Sequence, residues 1–104
     1  RKIEDYPAIT DKIQYAYFLA RTYDELGQDD LALSLYGATI HAGADRPEYY
    51  AARAALQSAF IYEKRRDSAM AIVYFRKCLN MNEQEYKSTL DQRAKAGINR
   101  LTVR

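Results

Sequence analysis

Cysteine, net charge and long apolar runs are all scarce in this sequence, and each scarcity excludes a class of protein. Cys78 is the only cysteine, so neither an intramolecular disulfide framework nor a metal site built from several cysteines can form. Sixteen basic against fourteen acidic side chains leave a formal charge of +2 that is spread along the chain, which gives nucleic-acid binding little electrostatic support. Uncharged stretches such as residues 31–44 are shorter than the roughly 20 apolar residues of a membrane span, so we expect none.

What the sequence does contain is typical of one compact domain. Its 104 residues are 48% apolar and 29% charged, enough for a single core and too few for two. The chain opens at Arg1 without a methionine, and its first residues do not resemble an apolar secretory segment. We therefore expect an excised piece of a longer protein, whose compartment the sequence leaves undetermined.

The four glycines and two prolines fall mostly where helices should begin or end, and they divide the chain into five helices. The first is predicted over about residues 7–26, with a proline in its opening turn and Gly27 as its stop. Asp29 or Asp30 then caps a second helix, which stops before Gly43. Apolar residues recur at steps of three and four along both segments, so each has one apolar face.

The third and fourth helices have clear start signals. Asp45 and Glu48 form a capping box around a proline, and the third helix should continue to about Lys64. Asp67 or Ser68 caps the fourth helix, which ends at an Asn-Met-Asn break.

The fifth helix repeats the box with Asn82 and Glu85 and runs towards Leu101. One of its sides is apolar and the other is polar, which predicts a helix at the end of a stack.

The chain also repeats itself at a constant offset, the step from Ala20 to Ala59, which we call the repeat shift. This shift places small residues on small residues and aromatic residues on aromatic residues, which is the mark of a duplicated helix pair. The other matched pairs include Tyr23 with Tyr62, Ala32 with Ala71 and Tyr36 with Phe75.

These residues resemble the tetratricopeptide repeat family. Ala16-x2-Leu19-Ala20-x2-Tyr23, followed by Ala32-x3-Tyr36, keeps the family's spacing, and Ala55-x2-Ser58-Ala59-x2-Tyr62, followed by Ala71-x3-Phe75, keeps it again. The resemblance implies an all-α right-handed superhelix of stacked helix hairpins, with repeats at about 7–44 and 45–82 and a capping helix at about 83–102. The family's tryptophan and closing proline are absent. The repeat shift is also longer than the family's repeat, and longer first helices would account for the additional residues.

In this family the first helices of successive repeats line a concave groove that holds a peptide or a partner helix. The resemblance therefore implies a scaffold that binds a protein or peptide, with Tyr17 and Phe60 as aromatic anchors and Arg21, Arg53 and Lys64 facing acidic groups. For Phe60, burial in the core is an equally good interpretation. The predicted groove residues are Gln14, Tyr17, Arg21, Asp24, Glu25, Arg53, Leu56, Phe60, Glu63 and Lys64.

Two other functions stay open, and catalysis is not among them. The chain could be a stacking or self-associating module without a peptide ligand, or, as a weaker alternative, it could bind nucleic acid through Arg53 and the basic run at 64–66. His41 is the only histidine and is interpreted as a surface residue near a helix end, and Cys78 as a buried small side chain. Without clustered reactive groups we expect no enzyme, no metal and no cofactor.

Overall fold

Every regular element of the described chain is an α-helix, as the sequence predicts. The computed structural model describes residues 2–43, 50–81 and 87–102, with side chains from 12–43, 50–81 and 89–102. Within these ranges no helix combines the length and apolar character needed to cross a membrane. The five helices are α1 (Lys2–Glu25), α2 (Asp29–Gly43), α3 (Tyr50–Lys64), α4 (Ser68–Leu79) and α5 (Lys87–Thr102).

The end of α1 is closed by a glycine, as predicted. Gly27 has a φ of 80°, and its N–H donates to the carbonyl of Asp24 at 3.0 Å. The N–H of Gln28 donates to the carbonyl of Tyr23 at 2.9 Å. This pair of bonds is a Schellman motif, which needs a left-handed residue that glycine supplies without steric cost.

The end of α3 repeats the same motif with a different residue in the strained position. The N–H of Asp67 donates to the carbonyl of Tyr62 at 2.9 Å, and that of Arg66 to the carbonyl of Glu63 at 3.0 Å. Arg66 is the residue that the repeat shift places on Gly27, and its φ is 64°. The motif recurs because its backbone hydrogen bonds do not require a glycine, but the side chain of Arg66 makes it less favourable.

At the starts of α4 and α2, the second helices of the two repeats, one capping prediction is correct and the other is wrong. Asp67 caps α4, and its carboxylate accepts a hydrogen bond from the backbone of Met70 at 3.1 Å. Asp29 and Asp30 are not caps, because α2 already includes both in its first turn. In that turn their negative charges interact favourably with the positive end of the helix dipole. The predicted capping boxes at 45–48 and 82–85 lie outside the described residues.

Two helix boundaries also differ from the prediction. Helix α1 begins at Lys2, so Pro7 is not in its opening turn; this residue lacks the N–H that would bond the carbonyl four residues earlier. Gly43 belongs to α2 and does not follow it. A Cβ at Gly43 would lie 3.3 Å from the Cβ of Ala51 and 3.5 Å from Cγ2 of Ile13. Gly43 therefore allows neighbouring helices to approach closely. The sequence-based interpretation of this glycine as a helix stop did not identify that role.

The helices pack in order along an elongated body of 56 × 29 × 17 Å. Each helix contacts the next one along the chain, and α3 also contacts α1 and α5. Among the described residues, α2 and α4 do not contact each other. Helices α1, α3 and α5 therefore share one side of the molecule.

Two aromatic rings lie at the centres of the two core clusters. Tyr36 is fully buried between α1, α2 and α3, and Phe75 is fully buried between α3, α4 and α5. Burial of a side chain of this size contributes about 1.5–3 kcal/mol. Alanines surround both rings because small residues allow neighbouring helices to approach closely, as at Ala32 and Ala71.

Candidate functional site on the face of α1 and α3

A polar depression lies between α1 and α3 on the side of the molecule that these helices share. It has a volume of about 170 Å³, and three of its lining residues are the predicted groove residues Arg21, Phe60 and Lys64. Asp24 is a fourth, and Gln57 and Ile61 complete the lining. The structure thus brings these four predicted groove residues together.

Arg21 is the central polar group of this depression. Its guanidinium donates to Oε1 of Gln57 on α3 at 3.3 Å, and on its own helix to Oε2 of Glu25 at 3.3 Å and Oδ2 of Asp24 at 3.5 Å. Asp24 also accepts a 2.7 Å hydrogen bond from the hydroxyl of Tyr36, whose pKa is raised by burial. The carboxylate of Asp24 is therefore held in place from below, and the guanidinium spans the two helices.

A second depression adjoins the first and shares Arg21 with it. Its volume is about 360 Å³, and its other lining residues are Tyr17, Phe18, Thr22, Glu25 and Arg53. Phe18 leaves 48% of its surface exposed, and its ring lies edge-on to those of Tyr17 and Tyr50. The two depressions share Arg21, and their linings combine cations, carboxylates and aromatic side chains.

Two predicted groove residues are buried, which corrects the sequence-based groove. Tyr17 is 2% exposed and packs against the rings of Tyr36 and Tyr50, with centroid distances of 6.1 and 5.6 Å. Leu56 is 0% exposed within the cluster around Phe75. Neither side chain therefore offers appreciable surface to a partner.

Phe60 is half-buried and belongs to both the core and the surface, so neither interpretation given for it is complete. Its ring meets that of Phe75 edge-on, with centroids 5.5 Å apart, and Phe60 also lines the first depression. The guanidinium carbon of Arg93 lies 5.3 Å from the ring centroid, within the range of a cation–π contact. Gln14 is exposed on α1 and lines neither depression.

Glu63, the last of the predicted groove residues, forms an ion pair across two helices. Arg100 on α5 donates to it from Nε at 2.9 Å and from Nη2 at 2.8 Å. The arginine lowers the pKa of Glu63. This contact joins the side of α3 to α5 and uses both carboxylate oxygens.

The sequence-based prediction missed Phe18 and Gln57. These two residues are one repeat shift apart, so they occupy the same repeat position on α1 and α3. Phe18 precedes Arg21 by three positions, which places both on one side of a helix. Applying the repeat shift to that spacing would have identified both residues.

Much of the basic run at 64–66 is matched by acidic residues of α2. Nζ of Lys64 lies 3.2 Å from Oδ1 of Asp29, and Nη2 of Arg65 lies 3.2 Å from Oδ1 of Asp30. These are exposed pairs, each worth about 0–1 kcal/mol. Their main effect is to reduce the positive potential at this end of α3.

The remaining reactive side chains lie apart from this surface. His41 is exposed in the last turn of α2, and Cys78 is fully buried against α5, as the sequence predicts. In the described part of the chain, no three histidine, cysteine, aspartate or glutamate side chains come close enough to hold a metal ion. The surface over α1 and α3 itself combines charged groups, hydrogen-bonding groups and aromatic side chains.

Comparison with protein-family models, with curated proteins and with solved structures gives no match to this chain.

Proposed function

We propose that this protein is an interaction scaffold that binds a peptide or a segment of a partner protein across α1 and α3. One observation carries the proposal: two adjoining depressions over these helices share Arg21 and combine charged groups with aromatic side chains. Arginine and aromatic side chains dominate the binding energy of protein interfaces. The buried rings beneath them hold the surface in shape, so little order is lost on binding.

The chemistry of the surface indicates what a ligand should carry. Arg21, Arg53 and Lys64 supply cations, and the amide of Gln57 can both donate and accept hydrogen bonds. Phe18 and Phe60 offer apolar contact beside them. A peptide with an acidic side chain next to an apolar one would match this arrangement.

The proposed architecture is a right-handed superhelix similar to the tetratricopeptide repeat family. Its support comes from the order of helix contacts, in which each helix packs on the next and α3 contacts both α1 and α5. Matched burial across the repeat shift also supports it: Ala20 and Ala59 are both fully buried, and so are Tyr36 and Phe75. In such stacks the first helices line the concave side.

Selection from a random peptide library displayed on phage would test the binding function. The affinity of each enriched peptide is then measured for the unchanged protein, for a Phe18→Ala/Lys64→Ala double variant and for Val73→Ala, which is the matched control. All three positions are exposed, so circular dichroism and the unfolding midpoint should change little. We expect binding to fall at least about tenfold, or about 1.4 kcal/mol, in the double variant and to persist in the control.

The proposal fails if no peptide is enriched. It also fails if the enriched peptides bind the double variant and the unchanged protein with equal affinity. Loss of binding in Val73→Ala as well would place the binding surface elsewhere.

The weaker alternative, nucleic-acid binding, gains no support from the basic run. Lys64 and Arg65 each lie 3.2 Å from an aspartate, so a polyanionic backbone along this run would meet carboxylates as well as cations.

A further inference from the structure

A buried hydroxyl joins the core to the polar surface over α1 and α3. Tyr36 is 0% exposed, yet its hydroxyl donates to Oδ2 of Asp24 at 2.7 Å. Burial of this tyrosine raises the pKa of the hydroxyl, which therefore keeps its proton and acts as a donor. The same Oδ2 lies 3.5 Å from Nη1 of Arg21. One carboxylate oxygen is thus shared between a buried hydroxyl and a guanidinium, and the hydroxyl is the closer of the two.

Long hydrogen bonds to described residues hold Arg21 in place. Its acceptors on Asp24, Glu25 and Gln57 lie at 3.5, 3.3 and 3.3 Å. A close pair between arginine and a carboxylate usually has an N···O distance of about 2.7–2.9 Å. The side chain of Glu25 is 70% exposed, so water screens its pair with Arg21. The guanidinium is therefore positioned while much of its capacity to bind a further carboxylate remains.

The second repeat shows what an equivalent carboxylate does without such a hydroxyl. The repeat shift places Glu63 on Asp24 and a phenylalanine on Tyr36. Glu63 accepts bonds from Arg100 with both of its oxygens, at 2.8 and 2.9 Å. A carboxylate that no tyrosine engages thus forms a close pair with an arginine in this same fold. If the hydroxyl of Tyr36 were removed, we would expect Asp24 to close on Arg21 in the same way.

The position of Arg21 makes its charge important for a ligand. Its side chain is 33% exposed, and it lines both depressions, so a peptide across α1 and α3 meets it from either one. A guanidinium can bind a carboxylate through two parallel hydrogen bonds. A close pair with Asp24 would occupy those donors and neutralise the charge. How firmly Asp24 is held elsewhere therefore decides how strongly Arg21 attracts an acid.

We propose that Arg21 binds an acidic side chain of the peptide ligand, and that the hydroxyl of Tyr36 keeps Arg21 available by holding the carboxylate of Asp24. This role of Arg21 rests on the proposed function and adds the feature of the ligand that the surface selects. Tyr36 is buried beneath the surface, so it is a positioning residue that acts through Asp24. Removing its hydroxyl should reduce the preference for an acidic ligand and leave the apolar part of the interface intact.

Calorimetric titration with two matched peptides tests this role. The first is the tightest-binding acidic peptide from the phage selection, and the second is the same peptide with its acidic residues changed to the corresponding amides. Both are titrated into the unchanged protein and into Tyr36→Phe, with Tyr23→Phe as the matched control. The control loses the same hydroxyl group, and Tyr23 packs against the same core cluster but lines neither depression. Circular dichroism checks that each variant is folded.

We expect Tyr36→Phe to weaken binding of the acidic peptide at least about fivefold and to change binding of the amide analogue less than about twofold, because only the acid contacts Arg21. Tyr23→Phe should leave both affinities unchanged. In an Asp24→Asn background the effect of Tyr36→Phe should disappear, since an amide cannot neutralise a guanidinium. Arg21→Gln should bind the two peptides with closely similar affinity.

Equal losses for the two peptides in Tyr36→Phe would indicate a loosened fold and would overturn the positioning role, as would no loss at all. An acidic preference that persists in Arg21→Gln overturns it too, whether or not Tyr36→Phe folds. If the selected peptides carry no acidic residue, this role is wrong but the proposed function stands. If no peptide is enriched, both are wrong.

Discussion

The hydroxyl of Tyr36 donates a 2.7 Å hydrogen bond to Oδ2 of Asp24, which joins α2 to the last turn of α1. The repeat shift places Phe75 and Glu63 at the equivalent positions, and this bond cannot form there because phenylalanine has no hydroxyl. Glu63 accepts two bonds from Arg100 of α5 instead. The two equivalent carboxylates therefore connect different helices. Asp24 connects the two helices of one pair, whereas Glu63 connects α3 to α5, the helix that follows its pair.

Removing this hydroxyl should weaken the first helix pair. We expect Tyr36→Phe to lower the free energy of unfolding by about 1–2 kcal/mol, since the bond has a charged acceptor and a buried donor. Urea denaturation measures the change. A double-mutant cycle with Asp24→Ala should show coupling between the two side chains; additive effects, or a Tyr36→Phe variant as stable as the unchanged protein, would contradict this account.

Alanine should act in opposite directions at two helical glycines. A Cβ at Gly97 would lie 2.6 Å from Cε1 of the Phe75 ring and closer still to its Cζ, whereas nothing lies within 4 Å of a Cβ at Gly37. Gly37→Ala should therefore stabilise the protein by up to about 1 kcal/mol, the difference in helix propensity. Gly97→Ala should destabilise it by about 1–3 kcal/mol, because overpacking exceeds that gain. Thermal unfolding of both variants provides the comparison, and stabilisation by Gly97→Ala would show that the ring moves freely.

Arg66 should be replaceable by glycine with a gain in stability. Its φ of 64° is left-handed, and glycine adopts this conformation without steric cost. We expect Arg66→Gly to raise the free energy of unfolding by about 0.5–1 kcal/mol. Arg66→Ala is the control, since it removes the charge but keeps the Cβ and should give no such gain. Conversely, Gly27→Ala should lose about 1 kcal/mol. Equal gains from both Arg66 variants would trace the effect to charge and not to conformation.

The pair of Glu63 and Arg100 should make stability depend on pH in the acid range. Hydrogen bonds from Arg100 lower the pKa of Glu63, so as pH falls the unfolded chain takes up this proton before the folded one does. The pair's contribution is present above the ordinary glutamate value of about 4.3 and is lost as the pH falls through the lowered value. Because the pair is partly exposed, the contribution is at most about 1 kcal/mol.

Urea unfolding of the unchanged protein and of Glu63→Gln should therefore differ most near neutral pH and converge in acid. In a protein that already carries Arg100→Gln, adding Glu63→Gln should no longer produce this pH-dependent difference in stability. A gap that stays constant down to the acid range would exclude the ion pair as its cause.

Local signals predicted the helix ends well. Gly27 ends α1 and Asp67 caps α4 because both effects depend on a few neighbouring backbone groups. The same signals were wrong at Gly43, where a missing side chain serves the contact between α2 and α3 and not the end of a helix. A glycine has the same appearance in the sequence in both roles, and only the neighbouring helix distinguishes them.

The candidate site was predictable in position but not in the accessibility of its residues. The resemblance to the tetratricopeptide repeat family implied that Tyr17 and Arg21 line a groove on α1, and Arg21 does line both depressions. Whether Tyr17 lies on the surface or beneath it depends on Tyr50 and Tyr36, which approach from other helices. A one-dimensional pattern contains no distances between helices, so it cannot determine exposure near the edge of an apolar face.

The sequence by itself determined that this chain forms helices with apolar faces, because periodicity and capping act within a few residues. Its internal duplication also predicted that Tyr36 and Phe75 have similar surroundings, and both are fully buried. Only the tertiary structure decided which polar groups meet, such as Tyr36 with Asp24 and Glu63 with Arg100. Those contacts depend on how closely separate helices approach, and that is set by the sum of many small packing contacts across the whole core.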